Sequence, residues 1–308
     1  MVEIKKKYGL TVKRDTVYNI LKIADPEGLA NRFANRLRRR EYLSPGPNFI
    51  WHTDGYDKLK PFGFAIHGCI DGFSRMILWL EVATTNNDPK VTAHYFLKTV
   101  LQLKFLPTVM RSDKGSENTL MESLQICLRS KDDDQFSGEK SFIKGKSVHN
   151  QRIESYWGQM RRHSADFYIQ FFKCMVEKNL FDGSKLHKMC LQYCFGPMIT
   201  KDLEMTKTLW NEHRIRKQPA RNNIAGKPFI LFELPERVNA RNYKKGVNEK
   251  VVQRLLEQFT TKPHLICPNF EELIEIILPN VEVASTPEEA LELYQKILNR
   301  INEYTNES

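Results

Sequence analysis

HTDGYDKLKPFGFAIHGCIDGFSRMILWL, residues 52–80, reads as the centre of an antiparallel meander. Three runs rich in aromatic and aliphatic residues lie in or around it: FIWHTDG ending at Asp54, FGFAIHGCID from Phe62, and RMILWLEVA from Arg75. Each has the length and composition of a strand. Asp71-Gly72-Phe73-Ser74 supplies the turn between the second and third, with turn-forming side chains where the chain must reverse.

Downstream, the pattern changes to alternating helix and strand. Asp88 and Pro89 form a cap and first-turn proline for a helix over residues 88–105, whose apolar positions are Val91, Tyr95, Leu97, Val100 and Leu101. That helix crosses over to a strand in TVMRSD, residues 108–113, and NTLMESLQICLRS is the helix after it. Residues 129–149 are polar and of mixed charge, a loop with one short strand around SFIKGKS. From Asn150 the chain reads as helical through NQRIESYWGQMRRHSADFYIQFFKCMVEKNLF, and again past Trp210, until KPFILFELP closes this part near Pro235. The last 70 or so residues, with EKVVQRLLEQF and TPEEALELYQKILNRI, read as two or three short helices, packed on the core or forming a small bundle of their own.

Upstream, SPGPN (44–48) marks a boundary near residue 45. The first 48 residues carry 11 Lys and Arg against 5 Asp and Glu, more than half of the chain's net +10, and read as an arm facing nucleic acid. KYGLTVKRDTVYNILK turns at Gly9 and continues as a helix with Val17, Ile20 and Leu21 at core spacing and Lys13, Arg14 and Lys22 outward. Two readings fit it, the second half of a helix-turn-helix and a plain amphipathic helix. Its shortness raises the expectation of an N-terminally shortened copy of a longer protein. The 308 residues, 41% hydrophobic, exclude a disordered chain. No apolar run reaches membrane-spanning length, and the Lys-rich start lacks a signal peptide's apolar stretch, so a soluble intracellular protein is expected. Six cysteines without a C-x-x-C pair argue against a disulfide framework. His187, Cys190 and Cys194 share a helix face but lack a fourth ligand at suitable spacing, so no structural zinc is expected.

Metal-assisted phosphoryl transfer requires carboxylates that converge from separate elements. Asp54 ends the first strand, Asp113 follows the fourth in MRSDKGSEN, and Glu154 sits four residues into the helix led by HNQRIESYW. Singly, each is unremarkable; their order on strand, strand and helix carries the signal. Other acidic residues fit blander roles: Asp57 at the surface, Asp71 in the hairpin turn, Glu117 in a first helical turn, and Asp132, Asp133 and Asp134 in a solvated loop. Trp157 suits a core position better than base stacking, and His67 and His149 read as ordinary polar residues.

With HTDGYDKLKPFGFAIHGCIDGFSRMILWL, RSDKGSEN, HNQRIESYWGQMRR, WNEHRIR and GKPFILFELP, the chain from Leu10 to Pro235 resembles the integrase catalytic core of retroviruses, retrotransposons and related DNA transposons, and in particular the integrase-core-domain proteins of animal genomes. The resemblance implies a ribonuclease-H-like α/β fold: a mixed five-stranded sheet flanked by helices. It divides the chain into a basic helical arm (1–45), a catalytic core with helical extension (46–235) and a helical C-terminal region of unassigned role (236–308). Asp54, Asp113 and Glu154 match the family's metal-binding catalytic triad for two Mg2+ or Mn2+ ions; 40 residues separate the last two, slightly more than in retroviral enzymes. Arg161 matches a basic residue set against DNA, whereas a second such position, four after the glutamate, is Gly158. The implied activity is cleavage and strand transfer on DNA by a multimer. Arg161, Arg162, Lys13, Arg14, Arg38, Arg39 and Arg40 are the expected DNA contacts, with Arg214 and Arg216 as a further basic cluster. A DNA partner implies the nucleus, the cytoplasm being the alternative. A catalytically silent DNA-binding or interaction protein derived from a transposable element is the rival reading, and a nuclease on the same fold a third.

Overall fold

The structure is a computed structural model that describes residue 9 and residues 13–29, 44–146, 150–217 and 224–306. It divides into two compact units, 1–42 and 43–308. In the first, Gly9 takes a positive φ of 66°, as a turn there requires, and α1 spans Arg14–Ala24. Val17 and Leu21, one turn apart, are half-buried, but Ile20 is 57% exposed. The buried stripe of α1 is therefore narrower than its apolar pattern, and Ile20 is not a core residue among the described contacts.

The second unit is built on a five-stranded sheet. Its strands are β1 (Ile50–Tyr56), β2 (Ala65–Asp71), β3 (Ile77–Ala83), β5 (Val109–Ser112) and β6 (Phe142–Lys144), in the order β3-β2-β1-β5-β6. β2 is antiparallel to both β1 and β3, while β5 is parallel to β1 and to β6. The parallel pairs need crossovers, supplied by α2 (Pro89–Leu103) before β5 and by α3 (Thr119–Leu128) before β6. A two-residue strand β4 (Phe105–Leu106), absent from the sequence reading, pairs outside the main sheet with β7 (Lys245–Gly246).

Alternation along the strands sorts side chains onto two cores. Trp51, Cys69, Trp79 and Met110 face α2 and α3, where Phe96, Val100, Met121 and Leu124 meet them. Tyr56, Ile66, Ile70 and Leu80 face the other helical layer. That layer holds α4 (Gln151–Met160), a π-helical segment (Arg161–Ala165), α5 (Asp166–Glu177) and the 28-residue α6 (Lys185–Glu212). α7 (Pro228–Glu233) follows, closing the helical extension. The remaining helices join both layers: Val252 of α8 (Glu249–Phe259) enters the first core, and Phe270 and Ile274 of α9 (Pro268–Ile277) and Tyr294 of α10 (Pro287–Asn306) enter the second. His187, Cys190 and Cys194 belong to this second layer; the two cysteines are buried, and His187 Nδ1 lies 2.6 Å from the Tyr294 hydroxyl.

Two local devices hold the sheet. Asp71 is fully buried at the hairpin and accepts from the backbone N–H of Asn48 (2.7 Å), Phe73 (3.1 Å) and Ser74 (2.8 Å), so the turn residue also anchors the chain entering β1. Asn211, near the end of α6, donates to Ile77 O (3.0 Å) and accepts from Ile77 N (2.8 Å), covering an edge of the sheet. The acidic run departs from its expected role. Asp132 and Asp134 hold the wholly buried Arg129, and Lys245 adds a 2.7 Å ion pair to Asp134. A buried guanidinium requires carboxylate partners, so this loop is a clamp, and within the run Asp133 is the exposed member.

Asp71→Ala removes the acceptor of three backbone N–H groups, and by the usual cost of orphaned donors it should lower stability by about 3 kcal/mol. An unchanged urea midpoint would contradict that role.

Candidate active site

The parallel pairing of β1 with β5 is what brings the first two carboxylates together. Ile50 stands opposite Val109, Trp51 opposite Met110 and His52 opposite Arg111. Carried two residues further, the same register sets Asp113, just past the end of β5, beside Asp54. The backbone there turns on Asp113 itself, whose Oδ1 accepts from Gly115 N (3.2 Å) and from Asn118 Nδ2 (3.1 Å). Asn118 is buried and also donates to Glu117 Oε1 (3.2 Å), so Glu117, in a 3-10 turn (Ser116–Asn118), lies near the site although its sequence suggests only a first-turn residue.

Glu154 arrives by a separate tie. Asn150, the residue before α4, is buried and donates from Nδ2 to Thr53 O (2.8 Å), next to Asp54. Its Oδ1 lies 2.8 Å from His52 Nδ1. Because the amide nitrogen is used on Thr53, the oxygen accepts, and His52 carries its proton on Nδ1. Burial pushes the His52 imidazole down to about 3, so it is a neutral strut. Glu154 sits one helical turn beyond this anchor, exposed, and near enough to Asp54 for its charge to act on that carboxyl.

A second contact joins α4 to the same strand. Trp157 is 6% exposed and its indole N–H donates to Asp54 Oδ2 at 2.9 Å. The ring lies against β2 at Gly68, the residue directly across from Asp54, where an added Cβ would come within 2.7 Å of the indole. Sequence reasoning placed Trp157 in the core but not on the carboxylate, and it passed over His52 and Asn150. Alternation from Asp54 puts His52 on the same face, and Asn150 has a residue type favoured before a helix; these were the available signals.

Electrostatically the three carboxylates form one group. Burial raises Asp54 to about 7; the charges of Glu154 and Asp113 act in the same direction, and the Trp157 hydrogen bond opposes them. Glu154 is raised by burial and by Asp113. Hard oxygen donors from three elements, with Asp113 and Glu154 raising Asp54 and Asp113 raising Glu154, are a donor set that a divalent cation would satisfy. As placed, no group of three His, Cys, Asp or Glu side chains among the described residues stands at coordinating distance.

The other expected residues are dispersed. Arg161 and Arg162 are exposed at the start of the π-helical segment, and Arg161 Nε donates to Asp166 Oδ1 at 3.0 Å. Gly158 is exposed with open space where a side chain would stand. Lys13 and Arg14 belong to the first unit, at the start of α1; Arg38, Arg39, Arg40 and His149 lie outside the described residues. Arg214 and Arg216 follow α6 and are exposed. Asp57 is exposed and pairs with Lys60 (3.2 Å). His67 is buried, stacked on Trp79 and Tyr95, and accepts the Trp79 indole N–H (3.1 Å).

A mixed sheet in this order, with acidic residues at one end of its two central parallel strands and a third on the helix packed across them, defines a ribonuclease-H-like catalytic core. Residues 41–226 match the family described as Integrase core domain, and the chain belongs to that family. Membership implies a DNA partner, and integrase cores generally work with divalent metals. No curated protein matches the chain. Among the described residues no helix is long and apolar enough to cross a membrane.

The raised Asp54 carboxyl has a consequence for the metal-free protein. Its folded value of about 7 lies above the ordinary 3.8. The stability carried by the neutral form is complete below about pH 4 and lost as pH rises through about 7. Asp54→Asn cannot ionise and escapes that loss while still accepting from Trp157. In chelator the variant should therefore melt above wild type at pH 8, by on the order of 3 kcal/mol, with the gap closing toward pH 4. Parallel melting curves at both pH values would contradict it.

Proposed function

We propose that this chain is a transposon-derived integrase or transposase that binds DNA and catalyses metal-dependent phosphodiester cleavage and strand transfer. The observation that carries the reading is the approach of Asp54, Asp113 and Glu154 from β1, the end of β5 and α4, each within reach of another's charge. Two Mg2+ or Mn2+ ions on these carboxylates would supply activation of the attacking oxygen and stabilisation of the leaving one. The protein's own part is positional. Asn150 and Trp157 fix α4 on β1, and Asn118 fixes Asp113. The Gly115 N–H donates to Asp113 Oδ1, closing the turn that follows β5. Water or a DNA 3′-hydroxyl is the nucleophile, giving cleavage in the first case and joining in the second. A multimer acting in the nucleus is the setting this reading expects.

A second reading, a DNA-binding or interaction protein in which the triad is inherited but unused, draws on Gly158. The open position leaves the DNA-facing side of α4 without one of the family's basic residues.

An oligonucleotide assay with Mg2+ separates them. Wild type should cut and join DNA, and Asp54→Asn or Glu154→Gln should abolish both while leaving DNA binding largely intact. Bound but unaltered DNA with wild type would establish the second reading, and cut but unjoined DNA a nuclease.

Because the space at residue 158 is open, Gly158→Lys should fold and tighten DNA binding. It should also steepen the log–log salt dependence of affinity by about 1. Fluorescence anisotropy across a salt series tests this; an unchanged slope would show that α4 does not face the DNA backbone.

A further inference from the structure

A buried tryptophan needs an acceptor for its N–H, and backbone carbonyls are the common choice. Trp79 and Trp210 find theirs away from the carboxylates, on His67 and on Arg75 O. Trp157 instead donates to Asp54 Oδ2. Its ring is enclosed so that this aim is fixed: Tyr56 lies at 5.5 Å and Tyr156 at 5.8 Å between centroids, and the far edge rests on Gly68. Gly68 faces Asp54 across the β1–β2 pair, so the bare backbone that admits the ring lies beside the carboxylate the ring holds. Trp157 is also three residues from Glu154 on the same helix. One helical turn thus carries a carboxylate and the group that orients a second one.

We propose that Trp157 is a positioning residue for the metal site: its indole N–H fixes the orientation of the Asp54 carboxylate and ties it to the turn of α4 that carries Glu154. The inference rests on the integrase reading above. Groups hydrogen-bonded to a metal's ligands set ligand orientation and affinity without touching the metal. A tryptophan that served packing alone would be replaceable by phenylalanine with little change at the carboxylates. An indole that orients Asp54 would not.

The test uses the full chain and Mn2+ alone, followed by loss of the free-ion electron paramagnetic resonance signal, with a thermal melt in chelator for each variant. Trp157→Phe keeps most of the ring and loses the N–H; it should fold and bind Mn2+ about 10-fold more weakly than wild type. Gly68→Ala leaves the indole intact but places a methyl at 2.7 Å from it, and should produce a similar loss by displacing the ring. Wild-type Mn2+ affinity in both folded variants overturns the proposal and leaves the triad reading standing. Failure of wild type itself to bind Mn2+ overturns both. If the phenylalanine variant does not fold, the Gly68→Ala result decides alone: weakened binding in a folded protein supports the proposal, and unchanged binding overturns it.

Discussion

Holding three carboxylates close together is the constraint around which this core is arranged. Glu154 and Asp113 raise the proton affinity of Asp54, Asp113 raises that of Glu154, and the group would spread apart if its backbones allowed. The chain opposes that by fixing the elements. The side chains that donate to Asp54 and Asp113, Trp157 and Asn118, are both neutral. The strut between β1 and α4 is a neutral His52 on a neutral Asn150. The acidic loop offers the opposite case in the same molecule. There Asp134 pairs with Arg129 and Lys245, and although burial works against ionisation, hydrogen bonds from Lys245, Phe136 and Arg129 hold its carboxyl down at about 2. Cation-paired carboxylates stabilise a fold but have their charge already satisfied. Carboxylates held by neutral donors keep theirs available for a ligand.

The fold makes that arrangement affordable through packing on both sides of the sheet. The helices after residue 248 are part of this support. Val252 fills the α2 side, while Phe270, Ile274 and Tyr294 fill the side that carries α4 and α6. The Tyr294 hydroxyl donates to Leu180 O at 2.8 Å, fastening α10 to the loop that follows α5. The segment beyond Pro235, which has no motif of its own, thus contributes core side chains to the unit that bears the triad.

Much of this was legible in the residues. The meander, the Asp88 cap and the crossover helix follow from local rules: alternation, turn chemistry and a capping carboxylate, each written within a few positions. The ordered Asp, Asp and Glu were legible for the same reason. What escaped were relations between distant residues. Arg129 with Asp132 and Asp134 looks like solvated charge until the guanidinium is known to be buried, and burial is not encoded in a five-residue window. Trp157 on Asp54 depends on a strand register that places Gly68 beside the carboxylate, and register is a property of two strands at once. Ile20 fails in the other direction: its spacing is right for a core, but the stripe that α1 buries is narrow.

The exposed face of α4 combines a carboxylate with an open position. Gly158 weakens the helix by about 1 kcal/mol relative to alanine. No nearby backbone or side chain occupies the space that would require a glycine there. It is therefore not explained by packing, and what the position gives up is a side chain directed at solvent. Arg161 remains, but it is engaged with Asp166 in an exposed pair. Such pairs are worth roughly 0–1 kcal/mol, so a phosphate can displace the carboxylate at small cost. Gly158 and Arg161, four and seven residues after Glu154, share its face of α4, so this exchangeable pair stands on the same side of the helix as the carboxylate.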